Sequence, residues 1–516
     1  MPCHNKLIVS HSEYICYSCR KKSPTRFLSR SFHVLPCLRN ENFSPTIAPK
    51  ALIDIKHIRD NPTIHEQNCL DRNYIIQATY PTKIISLTEK WQSCQKSSRS
   101  MREKSNWFTR QLASKIQTSV TYADSSDTEN TLRKNYLSEA RLLKEKLAGI
   151  NAEQSALNAE ITQLAMAMPN LTSHETPRGS TPKELGLINE EIGFYSTSTN
   201  RCCRSHVDIG QELNIIDFAG ATTTSGWGWY YLLNEAALLE QALVKFSLSL
   251  ARERGWSVVS PPSIVYSHIS DSCGFQPRDQ NGEQQIYQIQ QNPADVGRKP
   301  QLSLAGTAEI PIASMKANQT LEASKLPMKY VGVSRCYRAE AGARGADTKG
   351  LYRVHEFTKV EMFVWTLPNC AASTHIFDEM HSIQRDILSK LKLYCRILEM
   401  PSTDLGASAT RKIDIEAFFP SRQARGGGWG ELTSLSNCTD YQARRLATRL
   451  RLQPPGQTEQ LLYPYTLNGT ALAVPRVIAA ILENGWDEER GVVVIPEVLW
   501  PFMDGVREIG PKESKL

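Results

Sequence analysis

Residues 335–361, RCYRAEAGARGADTKGLYRVHEFTKVE, concentrate side chains able to hold phosphate and to exchange charge with a substrate. The ends of the segment are strand-like and its middle is rich in glycine and charge, which predicts strand, long loop, strand. Arg338 and Glu340 are two residues apart, so on a strand they face the same side. The fork of an arginine offers paired donors to a phosphate, while a neighbouring carboxylate accepts from a base or an amine. The plainer reading of the same pair is a surface ion pair contributing about 0–1 kcal/mol. No G-x-G-x-x-G or G-x-x-x-x-G-K-[ST] stands at a strand–helix junction, so a Rossmann or P-loop nucleotide site is unsupported.

Such a cluster needs a scaffold. Beyond residue 206, β-rich runs (256–259, 329–333, 360–365, 492–495) alternate with helical periods (236–252, 374–393, 441–451). Residues 169–206 are dense in Pro, Gly, Ser and Thr and read as a linker between domains. Ahead of them the chain is helical from about residue 51, with Asn61 a cap and Pro62 at a first helical position. Residues 84–120 read as a polar, weakly periodic helix and 121–130 as a tip. Leu143, Leu147, Ile150, Leu157, Ile161, Leu164 and Met168 then recur at heptad spacing. Two long helices about a tip make an antiparallel coiled-coil hairpin. Residues 83–149 hold thirteen basic residues against seven acids. By composition alone that excess fits a solvated charged face as well as an anionic partner.

The 335–361 segment resembles motif 2 of the class II aminoacyl-tRNA synthetases, and in particular the seryl-tRNA synthetases. Gly255-Trp256-Ser-Val-Val259-Ser-Pro-Pro262, with the helix before it, is similar to motif 1, the dimer-forming element. Thr307-Ala308-Glu309 resembles the serine-binding TAE loop. Asp414-Ile-Glu416, Glu431-Leu432-Thr433-Ser434 and Asn437-Cys-Thr-Asp440 resemble the approach to motif 3, and residues 468–476, NGTALAVPR, motif 3 itself. The opening IDIKHIRDNP of residues 53–62 is similar to the start of the family's N-terminal domain. The motifs stand in the family's order over roughly residues 51–510.

The resemblance implies an α+β fold: an antiparallel sheet flanked by helices, with an N-terminal antiparallel coiled-coil arm. It implies a leader over 1–48, a tRNA-binding domain over 49–168, the linker 169–206, a catalytic domain over 207–510 and a tail over 511–516. It also implies roles. Arg338 holds the α-phosphate of ATP, Glu340 the adenine amino group, and Phe357 one face of the adenine; Arg476 covers the other face and reaches the γ-phosphate. Ala339, Leu432 and Thr433 complete the ATP site. Glu431 and Ser434 offer hard oxygens to Mg2+ through ATP. Thr307, Ala308, Glu309, Arg338, Glu361 and Thr470 surround L-serine. Arg338 and Arg476 are the catalytic pair. Arg344 and Arg353 are expected to meet the acceptor end of the tRNA, and His355 to be structural. The arm is expected to grip tRNA(Ser), the chain to be a homodimer, and no editing domain or zinc is expected. Thr410, Pro475 and the Gly-rich residues 421–430 depart from the family's pattern and bear on loop geometry. A synthetase-like paralogue that binds RNA or protein without activating serine, and a ligase for another amino acid, are the rival readings.

The 516 residues exceed one domain, and 41% hydrophobic with 22% charged residues excludes wholesale disorder. No apolar run approaches the ~18–20 residues that span a bilayer, so no membrane association is expected. Of the net charge of +7, residues 1–40 carry seven basic residues against one acid. That basic, Ser-containing segment without a long apolar stretch reads as a mitochondrial targeting segment, which implies the matrix; the bland alternative is a disordered basic tail. Thirteen scattered cysteines do not form a disulfide framework. Cys16 and Cys19 lack a second C-x-x-C, and vicinal Cys202 and Cys203 read as linker thiols.

Overall fold

The computed structural model describes residues 48–119, 127–192, 204–275, 285–340, 350–424, 426–453 and 458–511. The expected leader, Cys16, Cys19, Cys202, Cys203 and Arg344 lie outside the described residues, as does nearly all of the expected tail.

The N-terminal region begins with short helices Ile55–Asp60 and Pro62–Asp71. Pro62 opens the second, where its missing N–H costs nothing. Asn61 does not cap it through its side chain; that amide donates to the His57 carbonyl at 3.1 Å and closes the first helix instead. Two forty-residue helices follow, α1 (Tyr80–Ser119) and α2 (Asp127–Met166), packed antiparallel along their length. Asp127–Asn130, expected in the tip, are already helical. On α2 the heptad leucines and isoleucines are the ones withdrawn from solvent. On α1 Pro81, Ile85, Thr88 and Gln111 are covered, and so is the series Ile84, Leu87, Trp91, Cys94, Ser98, Met101, Ser105, Phe108 and Leu112. The spacing of that series alternates three and four, so α1 carries a full heptad seam. Cys and Ser at three of its positions hide that seam from a hydrophobicity reading.

The C-terminal region is built on an eight-stranded sheet. Its strands are β1 (Lys183–Ile188), β2 (Ser257–Val259), β3 (Met328–Tyr337), β4 (Glu356–Thr366), β5 (Cys395–Glu399), β6 (Arg411–Phe418), β7 (Trp429–Thr439) and β8 (Tyr465–Ala473). The order is β1-β5-β6-β7-β8-β4-β3-β2, antiparallel throughout except for β2 against β3. One face is apolar: Val360, Met362 and Val364 of β4, Ile413 and Ile415 of β6 and Leu467 of β8 share one core. That core also takes Leu239, Leu243 and Phe246 of α3 (Asn234–Glu253), Phe377, Met380 and Ile383 of α4 (Cys370–Lys390) and Val477, Ile478 and Ile481 of α6 (Val474–Gly485). The other face carries the polar side chains of the site.

Two expectations change. The 169–206 segment is not only a linker: β1 lies within it and forms an edge of the eight-stranded sheet against β5, with a register shift at Gly186. Its Pro and Gly content obscured a strand that only its partner defines. The helix expected over 441–451 is a single turn, α5 (Tyr441–Arg445). Ala447 turns left-handed with φ 52°, and Arg449–Leu452 is a strand between Thr320–Glu322 and Gln460–Leu462. There Leu450 is buried and Arg449 and Arg451 are exposed, which is the period of a strand.

Candidate active site

The polar face of the sheet is assembled by register. In the β3–β4 hairpin Gly332 pairs with Glu361 and Ser334 with Lys359; across the next ladder Thr470 pairs with Glu361 and Ala473 with Lys359. Two register shifts re-aim side chains. Between β6 and β7, Ile415 pairs with Thr433 but Glu416 with Glu431, leaving Leu432 as an extra residue. Between β8 and β4, Ala471 is the extra residue. An inserted residue lets positions three apart share a face. Glu431 and Ser434 therefore both line the cleft, as do Thr470 and Ala473.

One cleft is lined by Arg338, Glu340, Phe357, Glu431, Leu432, Ser434, Thr470 and Arg476, together with Tyr352, Arg353, Lys359 and Pro475. Arg338 lies over the Phe357 ring with its guanidinium 5.1 Å from the centroid, and its Nε donates to the Gly306 carbonyl at 3.5 Å. Arg338 and Glu340 do not owe their common side to strand alternation. β3 ends at Tyr337, and Glu340 is left-handed at φ 47°. A non-glycine residue there is strained by about 1–2 kcal/mol. The Arg353 guanidinium, 3.2 Å from the Glu340 carboxylate, holds the turn.

Arg476 enters from the first turn of α6, where Pro475 is tolerated because it lacks only a donor that the helix does not use. Its Nη1 donates to the Glu431 carbonyl at 2.9 Å and lies 3.3 Å from the Glu431 carboxylate; its Nε donates to the Tyr352 carbonyl at 3.0 Å. Tyr352 sits between Arg422 and Arg476, 4.1 and 4.7 Å from its ring, and accepts from the Glu431 N–H at 2.7 Å. Burial alone would raise the Glu431 carboxyl, but Arg476, Lys412 and Arg338 outweigh it and hold the group at about 2. It is a carboxylate at any ordinary pH, so with the Ser434 hydroxyl it makes a hard-oxygen pair of the kind Mg2+ takes. Burial pushes neighbouring Asp414 up to about 7, against the opposing pull of Lys412 at 2.6 Å.

The deeper end of the site is buried. Lys359 and Glu361, two apart on β4, form an ion pair at 2.6 Å, and the Thr470 hydroxyl donates to the same Glu361 oxygen at 3.2 Å. Thr307, Ala308 and Glu309 do not line the open cleft; they are buried behind it. Glu309 is gripped on both oxygens, by the Gln442 amide at 2.6 Å and the Asn468 amide at 3.0 Å. Gln442 is fixed in turn by the Thr466 hydroxyl at 2.7 Å. Burial first, then the nearby Glu361 charge, pushes the Glu309 carboxyl up to about 8.

Ala339 and Thr433 fall outside the cleft. The Ala339 N–H donates to the Gln285 carbonyl, and the Thr433 hydroxyl is buried without a hydrogen-bond partner among the described residues. His355 is structural here: its carbonyl accepts from the Arg338 N–H, and its ring packs on Trp229 and meets the Tyr287 hydroxyl at 2.9 Å. Gly428, at φ 84°, leaves no room for a Cβ, which would stand 2.5 Å from the Phe418 ring. Thr410 is buried and bridges the Asn437 carbonyl to the Ser173 N–H. Tyr352, Lys359 and Asn468 stand inside the segments that resemble motifs 2 and 3, but neither they nor Gln442 is expected to have a role. Of these, only the Lys359–Glu361 spacing on a strand could have been read as a same-face pair.

Two family models match the chain. The seryl-tRNA synthetase N-terminal domain matches residues 52–172, and the tRNA synthetase class II core domain (G, H, P, S and T) residues 294–485. The chain is 44% identical to the mitochondrial serine–tRNA ligase of Saccharomyces cerevisiae over 72% of its own length and 79% of that protein. It is 38% identical to the mitochondrial serine–tRNA ligase of Schizosaccharomyces pombe over 88% of both. Among solved structures, seryl-tRNA synthetase from Pyrococcus horikoshii complexed with ATP superposes with a TM-score of 0.74 at 31% identity, over 90% of this chain and 100% of that one.

Proposed function

The chain belongs to the seryl-tRNA synthetase family, and from that premise we propose that it activates L-serine with ATP and transfers it to tRNA(Ser) in the mitochondrial matrix. One observation carries the reading: Arg338, Glu431, Ser434 and Arg476 line the same cleft as Thr470, with Glu361 behind it.

The first step sets the serine carboxylate against the α-phosphorus, and both are anionic. Arg338 and Arg476 both line the cleft, where fixed positive charge would offset that repulsion and stabilise the charge of the transition state. No protein nucleophile is required. Holding the reactants in line supplies much of the acceleration. Glu431 and Ser434 would hold Mg2+ through the triphosphate, which spreads the phosphate charge. Glu309 and Glu361 suit the substrate ammonium, and Thr470 with Glu361 suits the serine hydroxyl. A site built around that hydroxyl rejects alanine by ~10⁴–10⁵, since alanine strands its polar groups. The tRNA 3′-terminal hydroxyl then attacks the seryl-adenylate. Arm lysines and arginines, exposed at Lys83, Lys90, Lys96, Arg99, Arg102, Lys104, Arg110, Lys134, Arg141, Lys144 and Lys146, suit tRNA phosphates.

Homodimer formation is part of the reading. β2 is a sheet edge, and Val258 on it and Leu238 on α3 are half exposed, an apolar strip suited to a second copy. Pyrophosphate exchange into ATP with a panel of amino acids tests the function. Serine alone should drive exchange, and exchange driven equally by alanine or threonine would overturn it.

A further inference from the structure

The arm carries an aromatic side chain that its coiled coil does not use. The α1 seam runs through Ser105, Phe108 and Leu112, so Trp107 lies off it. Trp107 is 50% exposed, yet it is not loose: its ring stands edge-on to Phe108 at 5.0 Å and to Tyr136 of α2 at 5.9 Å. Phe108 and Tyr136 also touch, at 5.6 Å, and close the three-ring cluster across both helices. Perpendicular packing against two rings restrains the indole while half of its surface stays open to solvent.

The charge around it is specific. Lys104 and Arg110 stand one helical turn to either side of Trp107, and Lys96 lies eleven residues back, close to the same face. Lys134 and Arg141 are exposed on α2 near Tyr136. Glu103, four residues before Trp107, is engaged by Arg99 at 3.2 Å, and a half-exposed indole flanked by Lys104 and Arg110 suits a partner that pairs π-faces with a run of negative charge, which is a nucleic acid. An exposed indole set among cations is a poor fit for a second copy of this positively charged arm, which repels itself.

Resting on the reading of the arm as a tRNA-binding element, we propose that Trp107 is a stacking platform for an unpaired base of the bound tRNA. The arm's cations position the RNA by its phosphates, which carry no sequence, and Trp107 adds a contact that a regular duplex cannot make. It fixes the register of the RNA along the arm.

The test measures binding of an in vitro transcript of a serine-accepting tRNA to the full-length protein over a range of salt. Trp107→Ala should weaken binding about five- to hundredfold at every salt concentration and leave the salt slope unchanged, because no phosphate contact is lost. Trp107→Phe should retain most of the affinity, and Trp107→Leu should lose as much as the alanine variant. Far-ultraviolet circular dichroism should be unchanged in all three. Lys104→Glu with Arg110→Glu should flatten the slope, which tests the arm on its own. If the charge variant weakens binding and Trp107→Ala does not, stacking is wrong and the arm reading stands. Full affinity in Trp107→Leu would assign the effect to apolar packing, and an altered oligomeric state in Trp107→Ala would assign the patch to a second copy; either overturns stacking. If neither Trp107→Ala nor the charge variant changes binding, the arm reading itself falls.

Discussion

Glu309 links the proposed recognition of serine to a pH dependence of folding. Its carboxyl is pushed up to about 8 by burial and by Glu361. Between the ordinary carboxyl range and pH 8 the folded protein holds a proton there that the unfolded chain has released, so this group makes stability fall as pH rises through that window. Urea unfolding of the wild type should lose up to about 1 kcal/mol per pH unit from this source, and Glu309→Gln should remove that slope. Serine binding should run the other way. The ammonium needs a carboxylate, so the KM for serine should fall as pH rises from 6 to 8, and Glu309→Gln should flatten the profile. The Gln442 amide holds one Glu309 oxygen, so Gln442→Leu should raise the KM for serine by about ten- to a hundredfold, in line with the ~1.5–3 kcal/mol of a hydrogen bond to a charged group. Arg338, Glu309, Glu340, Glu361, Glu431 and Arg476 were legible because all of them stand in segments that resemble the family's motifs. Gln442 and Asn468 were not, because each meets Glu309 from more than a hundred residues away and spacing carries no trace of it. Ala339 and Thr433 were expected in the ATP site, and their side chains lie elsewhere.

At the scale of the element, the arm and the sheet differ in what a sequence reveals. The α2 seam was readable because Leu and Ile mark it. The α1 seam was not, because Cys94, Ser98 and Ser105 occupy covered positions. Ser98 is 2% exposed and its hydroxyl has no hydrogen-bond partner among the described residues. Ser98→Ala should therefore raise stability by about 1 kcal/mol, measurable as a higher unfolding temperature of the arm. The bulges at Leu432 and Ala471 could not be read, since a bulge exists only against a partner strand. Truncation probes the arm's purpose. Ile84, Ile161 and Ala165 belong to the core at its base, so the cut must spare them. Replacing residues 96–150 by a short Gly-Ser turn should leave serine activation intact and abolish most tRNA charging, read by pyrophosphate exchange and by aminoacylation. Unaltered charging would contradict the arm's role.

Across the whole molecule, the helical region is bolted to the catalytic region by polar groups. Arg72 is fully buried and donates to the carbonyls of Asn170, Ala409 and Gly406. The Asn170 amide donates to the Ser408 and Cys438 carbonyls, and Asn68 grips Asn170 and Thr172. Residues 169–176 are thus a fastened strap rather than a free linker, which their composition disguised. Arg72→Met strands those carbonyls and should cost about 3 kcal/mol, read in urea unfolding. In the proposed function this scaffolding serves one arrangement, Arg338 and Arg476 lining the cleft where an amino acid would meet a triphosphate. Serine-dependent exchange of pyrophosphate into ATP by the wild type and by Arg338→Ala tests it most directly. The wild type should exchange with serine, and Arg338→Ala, with an unchanged circular dichroism spectrum, should lose at least about a hundredfold. Exchange that survives in Arg338→Ala would contradict the account.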